Sequence, residues 1–256
     1  MAIMQTTSIQ SLANRAVIAL RGDGILAFLN NILTCNVEKL NHGEIAYGAL
    51  LSPQGKILYD MFVHCADYAV LIDCDKDTAE DLIAKFKLYR LRAKFEILRR
   101  DDLEVVAGAG TAHDPRNHSL GLRGIFARGD YPVSTSYDEV RYAVGIADST
   151  EIGSGKLFPH EANFDLLGAV DFKKGCYIGQ EVVSRMQHRG TARNRIMPVK
   201  FENDQLTDDI RIRQTLVGEV LGRTGRAALA LIRTDRLSEV GETPGMIIIK
   251  PDWMKL

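Results

Sequence analysis

The sequence predicts an α+β protein with a mostly antiparallel sheet and a small closed β-barrel at its C-terminal end. Three observations carry this. Strand-like segments in the first hundred residues follow one another across short turn sequences, without a regular alternation of strand and helix. After Gly190 helical periodicity gives way to short strand candidates separated by turn residues. The chain has 256 residues, 46% of them apolar and 25% charged, which is enough to bury a large and a small core without disulfides.

Taken in order, residues 24–33 (GILAFLNNIL) read as a short amphipathic helix after the Gly22-Asp23-Gly24 turn. Strands are predicted at 44–51 and 56–65, joined by Ser52-Pro53-Gln54-Gly55, a turn composition. Residues 68–73 (YAVLID) read as a fully buried strand. Asp77 with Glu80 resembles a capping box, and Ala79, Leu82, Ile83 and Phe86 continue at helical spacing to about Tyr89. Residues 93–99 and 103–107 read as strands and 108–118 as loop. Ser136 with Glu139 opens another helix, through about Gly145. Residues 160–167 and 178–188 are further helix candidates. Strands at 196–202, 210–213, 215–222, 226–233 and 246–249 make the barrel. The expected division is an α+β region over residues 1–194 and a barrel over 195–256.

The formal net charge is −1, so no global field draws the chain onto nucleic acid or an anionic membrane. Met1 to Arg21 lacks the pattern of a secretory leader, and no run of eighteen apolar residues occurs. Four cysteines, at 35, 65, 74 and 176, show neither CxxC nor Cys/His zinc spacing. They point to a reducing compartment, and the expected location is the cytoplasm.

Most motifs reduce to structure. Gly153-Ser154-Gly155-Lys156 lacks the Ser or Thr and the first glycine of a phosphate loop, and Gly108-Ala109-Gly110 reads as a turn. The six histidines have no metal-binding spacing, so no metal site is expected. Cys35, Cys65 and Cys74 sit in apolar or strand-like contexts and read as inert. Cys176 differs. It follows Lys173, Lys174 and Gly175 and precedes a helix candidate, and ammonium groups and a helix N-terminus both favour thiolate. Such a thiol is a nucleophile, a metal or cluster ligand, a redox group, or merely structural. Glu181 to Arg189, with Arg185, His188 and Arg189, is either a solvated helix face or a cationic rim for an anionic ligand. Asp60, among apolar neighbours, faces solvent or binds a ligand in a cleft.

Residues 174–181, KGCYIGQE, resemble the signature of the YgfZ-type folate-binding proteins. The continuation Val182-Val183-Ser184-Arg185 with His188-Arg189-Gly190 is similar to that family. So are Pro159-His160-Glu161-Ala162, Tyr89-Arg90-Leu91-Arg92, Leu20 to Thr34, the 51–56 turn and Val217-Gly218-Glu219-Val220.

The resemblance implies the fold of the T-protein of glycine cleavage, with α+β folate-binding domains around a central opening and a C-terminal barrel. It implies a tetrahydrofolate-binding accessory protein for assembly or repair of iron–sulfur clusters in client enzymes, including tRNA-modifying ones. Folate and iron–sulfur client or assembly proteins are the implied partners, with no direct nucleic-acid contact. Cys176 inherits the role of essential thiol, with Lys174 beside it. Asp60, Tyr89, Arg92, Tyr177, Gln180, Glu181 and Arg185 are the implied folate contacts. The alternative is a folate-dependent aminomethyl or one-carbon transferase. A third reading is a folate-independent scaffold. Two departures weigh against the transferase. Ala143 stands where the T-protein has a pterin-binding glutamate, and Asp73 where it has an asparagine that donates as an amide.

Overall fold

A computed structural model describes residues 8–190, 192–202, 207–212, 214–239 and 245–255. The first seven residues of the stretch weighed as a leader, and residue 213 of the 210–213 strand candidate, lie outside the described residues.

The first sheet combines β2 (Arg15–Arg21), β3 (Ile45–Leu51), β4 (Ile57–Ala66), β5 (Ala69–Asp75) and β6 (Glu96–Arg99). Their order is β3-β4-β5-β2-β6, antiparallel throughout. The run Ala16 to Leu20, buried along its whole length, becomes a central strand between β5 and β6. Burial on both faces leaves no period-two pattern to read. Helices α1 (Ile25–Ile32) and α2 (Ala79–Tyr89) cover one face of this sheet. Leu29, Leu82 and Phe86 pack there against Ile18, Met61, Val63 and Ile72. Alternation along β4 sends Phe62 the other way, into a second core with Tyr47, Leu51 and Phe164. The 68–73 strand is less enclosed than predicted: β5 starts at Ala69, and Tyr68 is exposed. The start of α2 is fixed by Asp75, whose side chain accepts from the Asp77 and Thr78 amides, rather than by an Asp77–Glu80 box.

A second sheet orders β1 (Gln10–Ser11), β7 (Leu103–His113) and β8 (Leu122–Ala127) as β1-β7-β8. The predicted loop at 108–118 is largely wrong, because β7 continues to His113. Its register shifts between Ala107 and Ala112, and Gly108 and Gly110 have positive φ. This is a bulge, not a turn. At Gly110 a Cβ would lie 2.1 Å from the Arg123 carbonyl oxygen, so the strands close only over a glycine.

α3 (Ser136–Val144) and α4 (Ser149–Ile152) follow, then α5 (Gln180–Arg189). The predicted 160–167 helix is instead a succession of turns. Asn163 is left-handed, and the Glu161 carbonyl accepts from the Ile196 amide, which removes it from any helical ladder. β9 (Asn194–Phe201), β10 (Asp209–Ile212), β11 (Thr215–Thr224), β12 (Ala227–Arg233) and β13 (Met246–Ile248) form the third sheet, in the order β10-β11-β12-β9-β13. Met197, Val199, Phe201, Ile210, Val217, Ala230 and Ile232 fill this barrel. Trp253 Nε1 donates to the Val144 carbonyl at 2.8 Å and ties its last residues to α3.

Where these parts meet lies a buried ionic cluster. Arg15 on β2 donates to Asp73 at 2.6 Å and to Asp148, the cap of α4, at 2.9 Å. Arg123 on β8 donates to Asp73 at 2.7 Å. Arg116 holds Asp114 at 3.0 and 2.9 Å and donates to the Ala147 carbonyl at 3.2 Å. The Tyr137 hydroxyl accepts from Arg116 and Arg123 and donates to Asp114. All three guanidiniums lie within 5.5 Å of the Phe62 ring centroid. Burial by itself raises the Asp73 carboxyl, but Arg123 and Arg15 outweigh it and hold it far below the usual carboxylate range. Asp114 and Asp148 are likewise lowered against burial, by Arg116 and by Arg15 with Arg116 respectively.

Removing Asp73 takes from two buried guanidiniums the carboxylate they share. Asp73→Ala is therefore expected to cost about 3–5 kcal/mol in urea-denaturation stability, the range for breaking a buried pair. Asp73, Asp114 and Asp148 have folded pKa values below their unfolded ones, so their contribution is present above the unfolded value, near ~3.9, and is lost as pH falls. Thermal unfolding followed against pH should show stability falling steeply below about pH 4.

Candidate functional site

The signature segment is seated by glycines. Gly179 caps α5 in the left-handed conformation, φ 81°, and a Cβ there would lie 2.7 Å from the Ser52 carbonyl oxygen and 3.1 Å from Gly55 Cα. Gly55, φ 82°, packs in turn against Val182, where a Cβ would come to 2.9 Å. The 52–55 turn and the KGCYIGQE segment, far apart in sequence, thus touch backbone to backbone. This explains both glycines of the contact.

Upstream, Asp171 accepts from the Lys173 amide at 2.7 Å, the Lys174 amide at 3.2 Å and Asn36 at 3.1 Å. Lys174 turns inward. Its ammonium donates to the carbonyls of Asn30 at 2.6 Å, Leu33 at 2.8 Å and Cys35 at 2.7 Å, closing the C-terminal end of α1. Burial lowers its pKa. All three donors are occupied, so the structure gives Lys174 an anchoring place. α5 begins at Gln180, four residues after Cys176, so the thiol does not sit directly on a helix N-terminus as the sequence suggests. All four cysteines are free, and Cys176 alone among them is exposed. Cys35 and Cys74 are buried, with thiols pushed up to about 12, and Cys65 is half-buried. Tyr177 points into the second core, and burial pushes its phenol up to about 12, the hydroxyl having no hydrogen-bond partner among the described residues.

Asp60 does not face solvent. It is buried on the Phe62 side of β4, accepting from the Tyr47 hydroxyl at 3.0 Å and from Ser149 Oγ at 2.6 Å. Ser149 also accepts from Arg15 at 3.2 Å, which joins Asp60 to the ionic cluster. Asp60, Asp73, Asp114 and Asp148 are four buried carboxyls facing the three guanidiniums of Arg15, Arg116 and Arg123. Asp60 is the one without a guanidinium partner of its own. Burial, then Asp148, raise its pKa. It borders a cavity of about 200 Å³ with Ser149, Thr150 and Ser154. Tyr47 borders a larger one of about 510 Å³, with Ile45, Asn36, Val170, Phe172 and Lys173. The Tyr47–Asp60 hydrogen bond thus stands between two cavities, the larger of which is walled by the approach to the signature segment.

The remaining implied contacts scatter. Tyr89 packs with the α1–α2 core, on the face of the sheet opposite Asp60, and Arg92 is exposed beyond the end of α2. Gln180 is half-buried. Glu181 and Arg185 pair with each other at 2.5 Å on the exposed face of α5, the solvated arrangement. Ala143 is exposed on α3, and Asp73 accepts from two guanidiniums. Arg15, Arg116, Arg123, Tyr47 and Tyr137 carried no readable signal in the sequence. The box Asp148-Ser149-Thr150-Glu151 did carry one, since Asp148 and Glu151 cap α4 reciprocally.

Residues 193–256 match the family described as CAF17, C-terminal beta-barrel domain. The chain is also 33% identical over 224 residues to the iron–sulfur cluster assembly factor IBA57 homolog, mitochondrial, of Pyricularia oryzae, over 75% of this chain and 57% of that protein. Its relatives are iron–sulfur cluster assembly factors of the IBA57/CAF17 type. The human factor IBA57, mitochondrial, is 25% identical over 94% of this chain and 84% of its own. Against two of the fungal relatives the chain spans little more than half their length, 57% for Pyricularia oryzae and 52% for Neurospora crassa. The fold is that of the T-protein: the glycine cleavage system aminomethyltransferase T from Bartonella henselae superposes with a TM-score of 0.68 over 89% of this chain and 78% of its own, at 14% identity. The α+β architecture with an appended barrel therefore stands. The cytoplasmic expectation does not, because the IBA57-type relatives are mitochondrial proteins. Free cysteines report a reducing compartment, and that property does not separate cytosol from mitochondrial matrix.

Two substitutions separate seating from chemistry in the signature segment. Gly179→Ala meets the Ser52 carbonyl and a left-handed backbone, and is expected to lower urea stability by at least about 1–2 kcal/mol. Cys176→Ser, at an exposed position, should change it by less than about 0.5 kcal/mol.

Proposed function

We propose that this chain is a tetrahydrofolate-binding accessory protein for the assembly or repair of iron–sulfur clusters, acting through the Cys176 thiol on client enzymes that include tRNA-modifying ones. The observation that carries the reading is the contrast among the cysteines. Three are buried or half-buried on strands and in cores, while Cys176 stands in solvent on a segment anchored on both sides, by Lys174 into α1 and by Gly179 onto the 52–55 turn. The kinship with iron–sulfur cluster assembly factors supports it. Within the family, the YgfZ-type signature is the finer assignment we favour.

One thiolate supplies one of the four ligands of an ordinary cluster, so in this reading the others come from the client or a second assembly protein. Cys176 then acts in a shared, transient complex. An exposed position suits that, since both proteins must reach the metal.

The 510 Å³ cavity suits a folate in size and lining. Tyr47, Phe172, Ile45 and Val170 offer apolar faces to a flat ring, and Lys173 offers a cation to a carboxylate-bearing tail. A bound reduced folate supplies one-carbon and ring redox chemistry. Tyr47 keeps Asp60 hydrogen-bonded at its back, and burial with Asp148 nearby raises the Asp60 pKa, so that group holds a proton more readily than a free carboxylate. Asp73, committed to two guanidiniums, and Ala143, exposed, weigh against aminomethyl transfer.

In cells lacking the native protein, Cys176→Ser should leave iron–sulfur enzyme activity as low as the deletion does, with the variant present at normal abundance. Restored client activity would overturn the role of the thiol. Calorimetric titration with tetrahydrofolate should show saturable binding that Tyr47→Ala weakens by about tenfold or more, the loss of one well-packed aromatic contact. Absence of heat with the wild-type protein would remove folate from the proposal and leave the thiol standing.

A further inference from the structure

Three of the large apolar side chains that protrude furthest lie at one end of the first sheet: Tyr68 is 92% exposed, Leu91 85% and Leu88 63%. The ladder brings them together. Leu20 pairs with Val70, and Arg21 with Glu96. The β4–β5 hairpin that carries Tyr68 therefore lies beside the end of β2 and the start of β6. The turn that follows α2, with Leu91, feeds directly into β6. A cavity of about 530 Å³ opens between this hairpin and the first turn of α1, lined by Tyr68 and Gly22 among others. Gly22 is pressed against the Lys94–Phe95 backbone, where a Cβ would lie 3.1 Å from Phe95 Cα.

One flank of this end is basic, while Asp23 and Asp67 line the cavity itself. In a chain of net charge −1, residues 84–95 carry Lys85, Lys87, Arg90, Arg92 and Lys94 and no acid. Leu91 adds a separate observation. Its φ is 51°, a left-handed conformation unfavourable to leucine, and its exposed side chain recovers none of that cost inside the protein.

We propose that this end of the sheet docks a partner protein that presents an acidic surface with an apolar side chain at its centre. The cations match the acid, the protruding leucines and Tyr68 meet apolar area, and the cavity takes the inserted side chain. The concavity favours a protein over a lipid surface, which has nothing rigid to insert. The surface is separate from the signature segment. β4 runs ten residues from the 52–55 turn, where that segment sits, to the 66–69 hairpin, roughly 33 Å at ~3.3 Å per residue. A partner held here leaves Cys176 accessible, and the inference holds whether or not folate binds.

The test measures fluorescence anisotropy of the full chain against four probes: a labelled amphipathic helical peptide of leucine and glutamate, its glutamine counterpart, phosphatidylserine vesicles and a tRNA. The glutamate peptide should bind saturably and weaken with salt. Its glutamine counterpart should bind about tenfold more weakly, as should the glutamate peptide to the triple variant Lys87→Glu, Arg92→Glu, Lys94→Glu. Leu91→Asn should lower peptide affinity about fivefold while leaving the melting temperature unchanged or higher, because asparagine tolerates the left-handed region. If vesicles or tRNA bind through these cations and the peptide does not, the partner is a membrane or an RNA and the proposal fails. If no probe responds to the triple variant, the patch is an ordinary solvated face and the proposal fails equally.

Discussion

The pair of guanidiniums on Asp73 is the constraint around which the rest is arranged. Asp73 belongs to β5, Arg15 to β2 and Arg123 to β8, so one carboxylate joins the first sheet to the second. Arg15 continues to Asp148, the cap of α4, and Arg116 to the Ala147 carbonyl, so the same charges position the approach to α4. Buried guanidiniums are tolerable only when acceptors surround them, and Phe62 beneath the three of them excludes water. Such a centre suits specificity of assembly better than raw stability, because a misplaced sheet leaves a charge unpaired.

Asp60 follows from this arrangement. It sits where the cluster meets the cavities, reached through Ser149 from Arg15 and held by Tyr47 on its other oxygen. Burial and the neighbouring Asp148 carboxylate raise its pKa, against the pull of Arg15. Asp73, equally buried, is pulled the other way by Arg123 and Arg15. The difference between the two is set by neighbours from four elements.

The signature segment shows a second kind of dependence. Of its eight residues, Lys174, Tyr177 and Gly179 hold the segment in place: one binds the end of α1, one fills the second core and one meets the 52–55 turn. Cys176 is left in solvent. A motif that reads as a string of chemistry is mostly a mount, with one exposed thiol on it. The basic, apolar end of the sheet lies at the other end of β4, so the two exposed features are held apart by one continuous strand.

Local pattern was enough for much of the fold. The turn at 52–55, the amphipathic spacing of α2 and the short barrel strands depend on neighbours within a few residues, and each was legible. β2 was not recognised as a strand because full burial erases alternation, and β7 was cut short because Gly108 and Gly110 read as a turn when they permit a bulge against Arg123. By itself the sequence determined the fold class, the barrel and the resemblance to an iron–sulfur assembly family, and it singled out Cys176 as a candidate. Only the tertiary structure decided that Lys174 anchors α1, that Tyr89 lies across the sheet from Asp60 and Arg92 stands exposed beyond α2, and that Asp73 serves the ionic centre. Those partners stand from about fifty to more than a hundred residues apart, and the energy of a buried charge depends on who surrounds it in space, which no local periodicity records.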